Sequence, residues 1–516
     1  MLDTSSVKYR LVVSVIFNFL RSIFSFLGGM LIARGLNPTG YGELTFLLGS
    51  FVALRSLVDM GSSSAFFTFI SKRPRDIRYF LAYLGWLALQ FTAVTLLLWV
   101  LLPEALVHSV WLGHPRSTLL LAFGAAFLQQ QLWPVIGQLG EAARKTIRVQ
   151  IINLTLAILH LGVIGLLLLW GLLSTGNVLW LLILEYGIAG VAAYYLIGEK
   201  PFSSDDSEDF SFRVMLKEYW DYCKPLIFLS IISFLYDFAD KWMLQKFGGA
   251  HQQGFFQISS QFANVSLLIT ASILNVFWKE IAAANENRDS HRISYLYHRV
   301  SRGLFFFSAA LSGFLIPWSK EIVQIFLGQS YIDAWPVLAL MLLYPIHQSL
   351  GQILGIMFLA SGETSTYMRV GVIMMVVSVP VTYLLQAPGS GMLVSGFALG
   401  AMGMALKTLG LNILSVNLQA WILSRNQKWK HYWTYQILVV CSTVAVGFLV
   451  KQSLLVFFNE SGLTSVIKLV TVLLAAAVMY FPLAALLVWS MPMAIGMDRL
   501  ELKMMVKRMW QIAHRG

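Results

Sequence analysis

Long apolar runs, separated by short polar connections, dominate the 516-residue chain. About fourteen of these runs reach the roughly 20 residues that a helix needs to cross the hydrocarbon core of a bilayer. We place these spans at residues 11–33, 44–70, 79–102, 118–140, 149–170, 177–198, 223–244, 255–278, 301–318, 335–360, 366–386, 393–417, 433–457 and 465–490. The pattern predicts an all-α polytopic membrane protein.

The most polar stretch follows the sixth span, so that the spans fall into two sets of six and a final pair. We therefore predict an N-terminal six-helix lobe at 1–198, a cytoplasmic linker at 199–222, a second six-helix lobe at 223–424, two additional transmembrane helices at 425–490 and a basic amphipathic cytoplasmic tail at 491–516. The tail interleaves basic and apolar residues, a pattern typical of helices that lie on an anionic membrane surface.

Basic residues lie almost entirely in every second connection between the spans. If the N-terminus is cytoplasmic, roughly 27 of the 37 lysines and arginines fall on that side, as the positive-inside rule requires. Both termini are then cytoplasmic. With 57% hydrophobic and 12% charged residues, the chain is too apolar for a soluble globule. The formal net charge of +12 is spread over short connections, so a nucleic-acid partner is not expected.

Two short strings recur at a fixed offset in the two predicted lobes. Residues 34–42, between the first two spans, match residues 246–254, between the seventh and eighth, at an offset of 212. Each string combines a base with a glycine-bounded hairpin on the outer side. Residues 140–141, after the fourth span, match residues 362–363, after the tenth. Matching connections in the same order indicate a parallel repeat, in which both lobes start from the cytoplasm.

Polar residues recur at helical spacing on the first two spans of each predicted lobe. The candidate cavity-lining residues on these spans are Asn18, Ser25, Asp59, Asp237, Asp240, Gln257, Gln261 and Asn264, and the candidate cationic residues on them are Arg21, Arg55 and Lys241. Lys407, on the twelfth span, is the fourth candidate cationic residue. Because such stripes are too polar to face lipid, we expect them to line a central cavity between the lobes. A base inside a span needs a carboxylate, water or an anionic ligand as its partner.

Some of these charges have a structural alternative. Arg55 and Asp59 stand four residues apart and could neutralise each other, so we leave open whether they form a structural pair or part of a binding site. Lys241 lies near the end of its span, where a lysine can reach the interface. Arg21 has no acidic residue within one turn, and we expect Asp59, Asp237 or an anionic ligand beside it.

Four polar residues lie within other predicted spans. Lys407 is on a glycine-rich face, which usually permits close helix packing. His160, Glu185 and His347 are each more simply read as satisfied polar groups, with proton coupling as the alternative.

The chain lacks the motifs of the common enzyme classes. It has no glycine-rich phosphate loop, no His-Glu-x-x-His, no Cys-x-x-Cys and no Gly-x-Ser-x-Gly, and its outer connections are at most about 20 residues long. We therefore expect no enzyme, no catalytic residues, no cofactor and no metal site, and free thiols at Cys223 and Cys441. Transport is the function class that the sequence favours.

Several sequence blocks resemble polysaccharide biosynthesis proteins of the Wzx type. The blocks are residues 31–44 with 57–61, residues 238–244 with the hairpin after them, and residues 325–335 leading to 358–364. These proteins are lipid-linked oligosaccharide flippases of the multidrug/oligosaccharidyl-lipid/polysaccharide (MOP) exporter superfamily. The resemblance implies two six-helix lobes in a V shape that alternate access across the bacterial inner membrane.

The cargo that this resemblance implies is an undecaprenyl-pyrophosphate-linked oligosaccharide for O-antigen, capsule or exopolysaccharide biosynthesis. The cationic residues would then bind the pyrophosphate and the other polar residues the sugars. Membrane lipids, a glycan polymerase and a chain-length regulator would be its partners. The alternatives are a cation-coupled multidrug exporter of the same superfamily, a flippase for peptidoglycan precursors and, from a different class, a membrane-embedded glycan polymerase.

Overall fold

A computed structural model describes residues 7–72, 77–197, 211–287, 289–389, 394–429, 433–457 and 466–513. Within these residues the regular structure is helical, and twelve helical stretches are long and apolar enough to cross a membrane. Two of them, Val13–Asp59 and Phe212–Leu267, are 47 and 56 residues long, and each is long enough for two crossings. The prediction of an all-α membrane protein with about fourteen spans is confirmed.

The chain forms two compact units. The first comprises Met1–Gly254 and Met375–Gly400, and the second comprises Phe255–Met374 and Ala401–Gly516. The predicted lobe boundaries at 198 and 223 stay a prediction. The predicted linker lies outside the described residues as far as residue 210, and its last part is helical.

The helices follow one another with few intervening residues. In the first part of the chain they are α1 (Val7–Asp59), α2 (Ser62–Lys72), α3 (Ile77–Leu96), α4 (Glu104–Val110), α5 (Arg116–Phe127), α6 (Trp133–Ala142), α7 (Thr146–Leu169), α8 (Thr175–Ile197), α9 (Phe212–Met243) and α10 (Gly249–Glu286). The remainder are α11 (Ser290–Leu315), α12 (Ser319–Ile322), α13 (Trp335–Met341), α14 (Tyr344–Ala360), α15 (Thr364–Gln386), α16 (Gly400–Asn426), α17 (Thr434–Phe457), α18 (Val466–Ser490) and α19 (Arg499–Ala513).

The junction between the first two predicted spans is a kink inside α1. A single non-helical residue, Asn37 with φ 59° and ψ 170°, precedes Pro38. Asparagine tolerates a positive φ, and proline lacks the N–H that would continue the helical hydrogen bonds. At the other end of the 212-residue offset, Gly249 begins α10 with φ 78°. The repeat therefore places a positive-φ residue at corresponding points, although the hairpin predicted after the first span is only a one-residue break.

The second predicted span, at 44–70, is not one continuous helix. Met60 and Gly61 adopt φ values of 46° and 86°, which end α1 and allow α2 to start in a new direction. A positive φ has a low steric cost only for glycine, yet this break has two positive-φ residues in succession, of which the first is a methionine. The break lies beside Asp59, one of the predicted site residues.

Small residues set the helix packing in the second unit. A β-carbon on Gly313 of α11 would lie 2.7 Å from the backbone of Thr443 on α17, so the two helices pack backbone to backbone. Tyr480 of α18 donates to the Thr443 carbonyl over 3.2 Å. The two C-terminal membrane helices are thus integral to this unit, whose core includes the fully buried Phe305 and Phe358.

Candidate functional site

The predicted polar stripe on the first span lies in the first half of α1. Asn18 donates from Nδ2 to the Ser14 hydroxyl over 3.3 Å, and Ser25 is exposed. Arg21 is half-buried, and in the part of the chain that the structure describes it makes no hydrogen bond or ion pair. Its charge acts on the hydroxyl of Tyr186 on α8. Since no carboxylate among the described residues pairs with Arg21, an anionic ligand is the partner that remains of those expected from the sequence.

Arg55 lies on the wall of a small cavity within the first unit. The cavity is mostly apolar, with Phe51 and Phe123 among its walls, and its other polar groups are Gln90 and Gln131. Gln90 donates to the Val58 carbonyl over 3.1 Å and accepts a hydrogen bond from Gln131. Across the described residues, no hydrogen bond or ion pair of the half-buried Arg55 is found. Both amides have a partner, while the guanidinium has none.

Asp59 holds the start of α2 rather than the charge of Arg55. Its Oδ1 accepts from the Ser62 hydroxyl over 2.8 Å and from the Ser63 N–H over 3.0 Å, and its Oδ2 accepts from the Ser63 hydroxyl over 2.8 Å. Ser62 also accepts from the Trp86 indole N–H over 3.2 Å. A carboxylate at this position satisfies N–H groups that the first turn of a helix leaves unpaired. The structural pair with Arg55, left open by the sequence, is not formed.

Lys241 of α9 extends across the face of α1. A β-carbon on Gly49 would lie 2.5 Å from Cε and 2.6 Å from Cδ of Lys241, so the stem of the lysine occupies the space that this glycine leaves. The Nζ donates to the backbone carbonyl of Asp237 over 3.3 Å. Lys241 is therefore half-buried between α9 and α1. The alternative offered by the sequence was a lysine that extends to the membrane interface.

Asp240 is buried in the first unit and is bound by a hydroxyl. Thr382 of α15 donates from Oγ1 to Oδ1 of Asp240 over 2.7 Å. The same hydroxyl contacts the carbonyl of Ser378, one turn earlier on α15. Asp240 thus links α9 to the end of α15. The next residue, Lys241, lies against Gly49 of α1 instead.

The remaining four candidates belong to the second unit. Gln257 and Gln261 are half-buried and Asn264 is exposed, all on α10. Lys407 on α16 is buried, with 3% of its surface exposed, and it interacts with at least one other group. The structure therefore gathers eight of the twelve candidates in the first unit, and a single cavity for all twelve stays a prediction.

Comparison with known proteins identifies the family. Residues 31–336 match the family described as "Polysaccharide biosynthesis protein". The chain belongs to this polysaccharide biosynthesis protein family. The resemblance seen in the sequence blocks is thereby confirmed. No curated protein matches the chain.

Solved structures share the fold of this family member. A lipid II flippase, MurJ, in an inward closed conformation matches with a TM-score of 0.68 at 14% identity, covering 92% of this chain and 99% of the other. An inward-facing multidrug resistance MATE transporter of the MOP superfamily matches with 0.55 at 15%, covering 81% and 99%. A MOP superfamily transporter from Pyrococcus furiosus matches with 0.52 at 14%, covering 82% and 96%. At these identities the likeness is one of fold.

Several polar residues of this family member were missed in the sequence. Gln90, Gln131 and Thr382 lie inside or at the ends of apolar helices, and each contacts a candidate residue or shares its cavity. Each is a single polar residue in an apolar run, a signal too common to single out. His160 and Glu185, read singly as satisfied groups, face each other with Nδ1 2.6 Å from Oε2.

Proposed function

We propose that this protein is a secondary-type flippase for undecaprenyl-pyrophosphate-linked oligosaccharide. It moves the lipid-linked glycan from the cytoplasmic to the outer leaflet of the bacterial inner membrane by alternating access, with both of its termini in the cytoplasm. The glycan serves O-antigen, capsule or exopolysaccharide biosynthesis. A glycan polymerase and a chain-length regulator are the proposed downstream partners.

The observation that carries this proposal is that Arg21 and Arg55 have no carboxylate partner among the described residues, although both lie in Val13–Asp59, a helical stretch long enough for two membrane crossings. An arginine at the centre of a span costs at least about 2.5 kcal/mol to insert. Since no ion pair in the described chain offsets that cost, an anionic cargo is the partner that best accounts for both residues. A pyrophosphate offers several acceptor oxygens to a guanidinium, whose planar donors suit phosphate geometry.

The carboxylates of the first unit fit the same proposal. A transporter of organic cations needs carboxylates available to its cargo. Asp59 is instead bonded to Ser62 and Ser63, and Asp240 to Thr382. Acceptors and donors such as Asn18 and Gln90 suit sugar hydroxyls, which take many weak hydrogen bonds. Membership of the polysaccharide biosynthesis protein family supports a glycan-related cargo.

A depletion strain tests the proposal. In cells depleted of this protein, lipid-linked glycan is probed in each leaflet with a periplasmic glycosidase or a lectin against the sugar. We expect glycan units to accumulate in a form that the probe cannot reach. Accumulation of accessible but unpolymerised units would instead identify a glycan polymerase. An unchanged leaflet distribution with new sensitivity to cationic drugs would identify a multidrug exporter, and either result overturns the proposal.

A further inference from the structure

An acid–base pair lies inside the helices of the first unit and has no part in the proposed anion site. His160 lies near the middle of α7 and Glu185 near the middle of α8, and Nδ1 of the imidazole is 2.6 Å from Oε2 of the carboxylate. The two side chains are 19% and 10% exposed. Both helices are apolar enough to cross a membrane. An intramembrane ionisable pair is costly to keep and is commonly functional.

The pair is incompletely satisfied. The second carboxylate oxygen of Glu185, Oε1, is buried and has no hydrogen-bond partner among the described residues. A structural pair in a packed interior would be expected to satisfy both oxygens, because an unpaired buried acceptor is destabilising. The imidazole can take up a second proton at Nε2 while its Nδ1–H stays on Oε2 of Glu185. The pair can therefore exist in two protonation states without breaking its hydrogen bond.

The pair is packed against the helix that carries Arg21. A β-carbon on Gly28 of α1 would lie 3.3 Å from Cδ2 and 3.9 Å from Nε2 of His160, so the imidazole rests on α1 at this glycine. Gly28 follows Arg21 by seven residues, or about 10 Å along the same helix face. Glu185 and Arg21 both act electrostatically on the hydroxyl of Tyr186.

On the described parts of the helices that pack against α7 and α8, the charged side chains of α5 and α6 are hydrogen-bonded elsewhere. Tyr186 receives a hydrogen bond from the neutral amide of Gln129 over 3.2 Å. Arg116, the charged residue of α5, donates to the backbone carbonyls of the preceding segment. Glu141, the charged residue of α6, accepts from the Thr146 hydroxyl over 2.6 Å at the start of α7. From α1 the charge that shares these surroundings is Arg21.

We propose that His160 and Glu185 form a proton-binding site whose occupancy is coupled to anion binding at Arg21. With a neutral imidazole, the pair carries the negative charge of Glu185, which repels an anion that approaches Arg21. When the pair takes a proton from water, the imidazolium neutralises Glu185, and this repulsion is removed. Proton and anion therefore favour each other's binding, by the same factor in both directions. The anion in this inference is the pyrophosphate of the proposed function.

Proton uptake on ligand binding tests the coupling. Farnesyl pyrophosphate is titrated into the full-length protein in detergent by calorimetry, in buffers that differ in ionisation enthalpy and at pH values from about 5.5 to about 8. We expect the wild type to take up more protons on binding than the H160Q and E185Q variants. Between about pH 8 and about pH 5.5, its affinity for farnesyl pyrophosphate should rise about fivefold more than that of either variant. Titration of the pyrophosphate itself contributes equally to all variants. Equal proton uptake in wild type and both variants would overturn the proposal.

A matched control separates this pair from any buried histidine. His347 of α14 also lies within an apolar helix, but its Nε2 faces the neutral Gln436 amide oxygen at 3.2 Å. The H347Q variant is expected to keep the proton uptake of the wild type, and loss of uptake there would contradict the assignment to His160. If H160Q or E185Q fails to fold, the wild type decides alone: no uptake beyond that of the free ligand overturns the coupling.

The failure of this inference is distinguishable from failure of the proposed function. Infrared difference spectra between about pH 8 and pH 5.5, taken without ligand, report proton binding by the pair itself. A histidine signal that is present in the wild type and H347Q but absent in H160Q supports the site. If that signal is identical in all three, the site is absent even when farnesyl pyrophosphate binds. If the signal is specific to His160 but the wild type binds no farnesyl pyrophosphate, the coupling and the anionic cargo fail while the proton site stands.

Discussion

Gly254 lies directly against the carbonyl of Pro38: a β-carbon on this glycine would fall 3.0 Å from the carbonyl carbon of Pro38. The relation is reciprocal, because a β-carbon on Gly42 would fall 2.6 Å from the carbonyl carbon of Ala250. Pro38 and Ala250 occupy equivalent positions of the internal repeat, 212 residues apart, and so do Gly42 and Gly254. Two copies of one kinked junction therefore cross each other through their glycines, so the internal repeat found in the sequence is also a packing contact.

This crossing predicts that neither glycine tolerates a methyl group. Gly254→Ala and Gly42→Ala each force a β-carbon into backbone, which cannot move aside as a flexible side chain can. We expect each variant to destabilise the protein by about 1–3 kcal/mol and the double variant to lose folded protein in the membrane. Thermal unfolding in detergent and fluorescence-detected size-exclusion chromatography measure the effect. Gly162→Ala is the matched control, since its β-carbon meets nothing within 4 Å, and a loss as large there would contradict the explanation.

The sequence was sufficient to predict the number of spans and the existence of the repeat, because hydropathy and glycine spacing act locally. It could not predict where the second span breaks. Met60 adopts φ 46° although it is not a glycine, and only the contacts of the folded unit impose that conformation. Span twelve, predicted from residue 393, begins as a helix only at Gly400, just after Ala398, another non-glycine residue with a positive φ.

For the candidate site, helical spacing was sufficient to find the residue types but not their partners. Arg55 and Asp59 are at the distance in sequence that favours an ion pair, yet Asp59 is directed to the serines that follow it. The choice depends on the turn at Gly61, which brings Ser62 and Ser63 back onto the carboxylate. A pairing rule written for a continuous helix fails where the helix ends.

The role of Asp59 at the start of α2 can be separated from any role of its charge. Asp59→Ala removes three accepted hydrogen bonds and is expected to cost about 1–2 kcal/mol of stability. Asp59→Asn keeps a side-chain acceptor at the same position, and asparagine caps helices about as well as aspartate. We expect Asp59→Asn to unfold within a few degrees of the wild type and to retain flipping. If Asp59→Asn is as stable as the wild type but does not flip lipid-linked glycan, the carboxylate charge itself is required.

The contact between Gly49 and Lys241 predicts a variant that moves a cation without removing it. In Gly49→Ala the new methyl displaces the flexible stem of Lys241, so we expect a stability change of at most about 1 kcal/mol. If the position of Nζ matters for the cargo, Gly49→Ala lowers the rate of flipping towards that of Lys241→Met. Leaflet accessibility of the lipid-linked glycan measures both variants at matched abundance. Normal flipping in Lys241→Met would remove Lys241 from the cationic site.

The unpaired arginines predict a separation of stability from binding. Arg21→Gln and Arg55→Gln remove cations that no described carboxylate neutralises, so we expect an unfolding temperature equal to or above that of the wild type. Each charge-assisted hydrogen bond to a phosphate contributes about 1.5–3 kcal/mol, so the affinity for farnesyl pyrophosphate should fall roughly 10- to 150-fold per arginine. Arg116→Gln is the matched control, because Arg116 donates to the carbonyls of Trp99 and Leu102, and its loss should lower stability with affinity unchanged. A double variant of Arg21 and Arg55 that flips glycan normally at wild-type abundance would exclude the anion site.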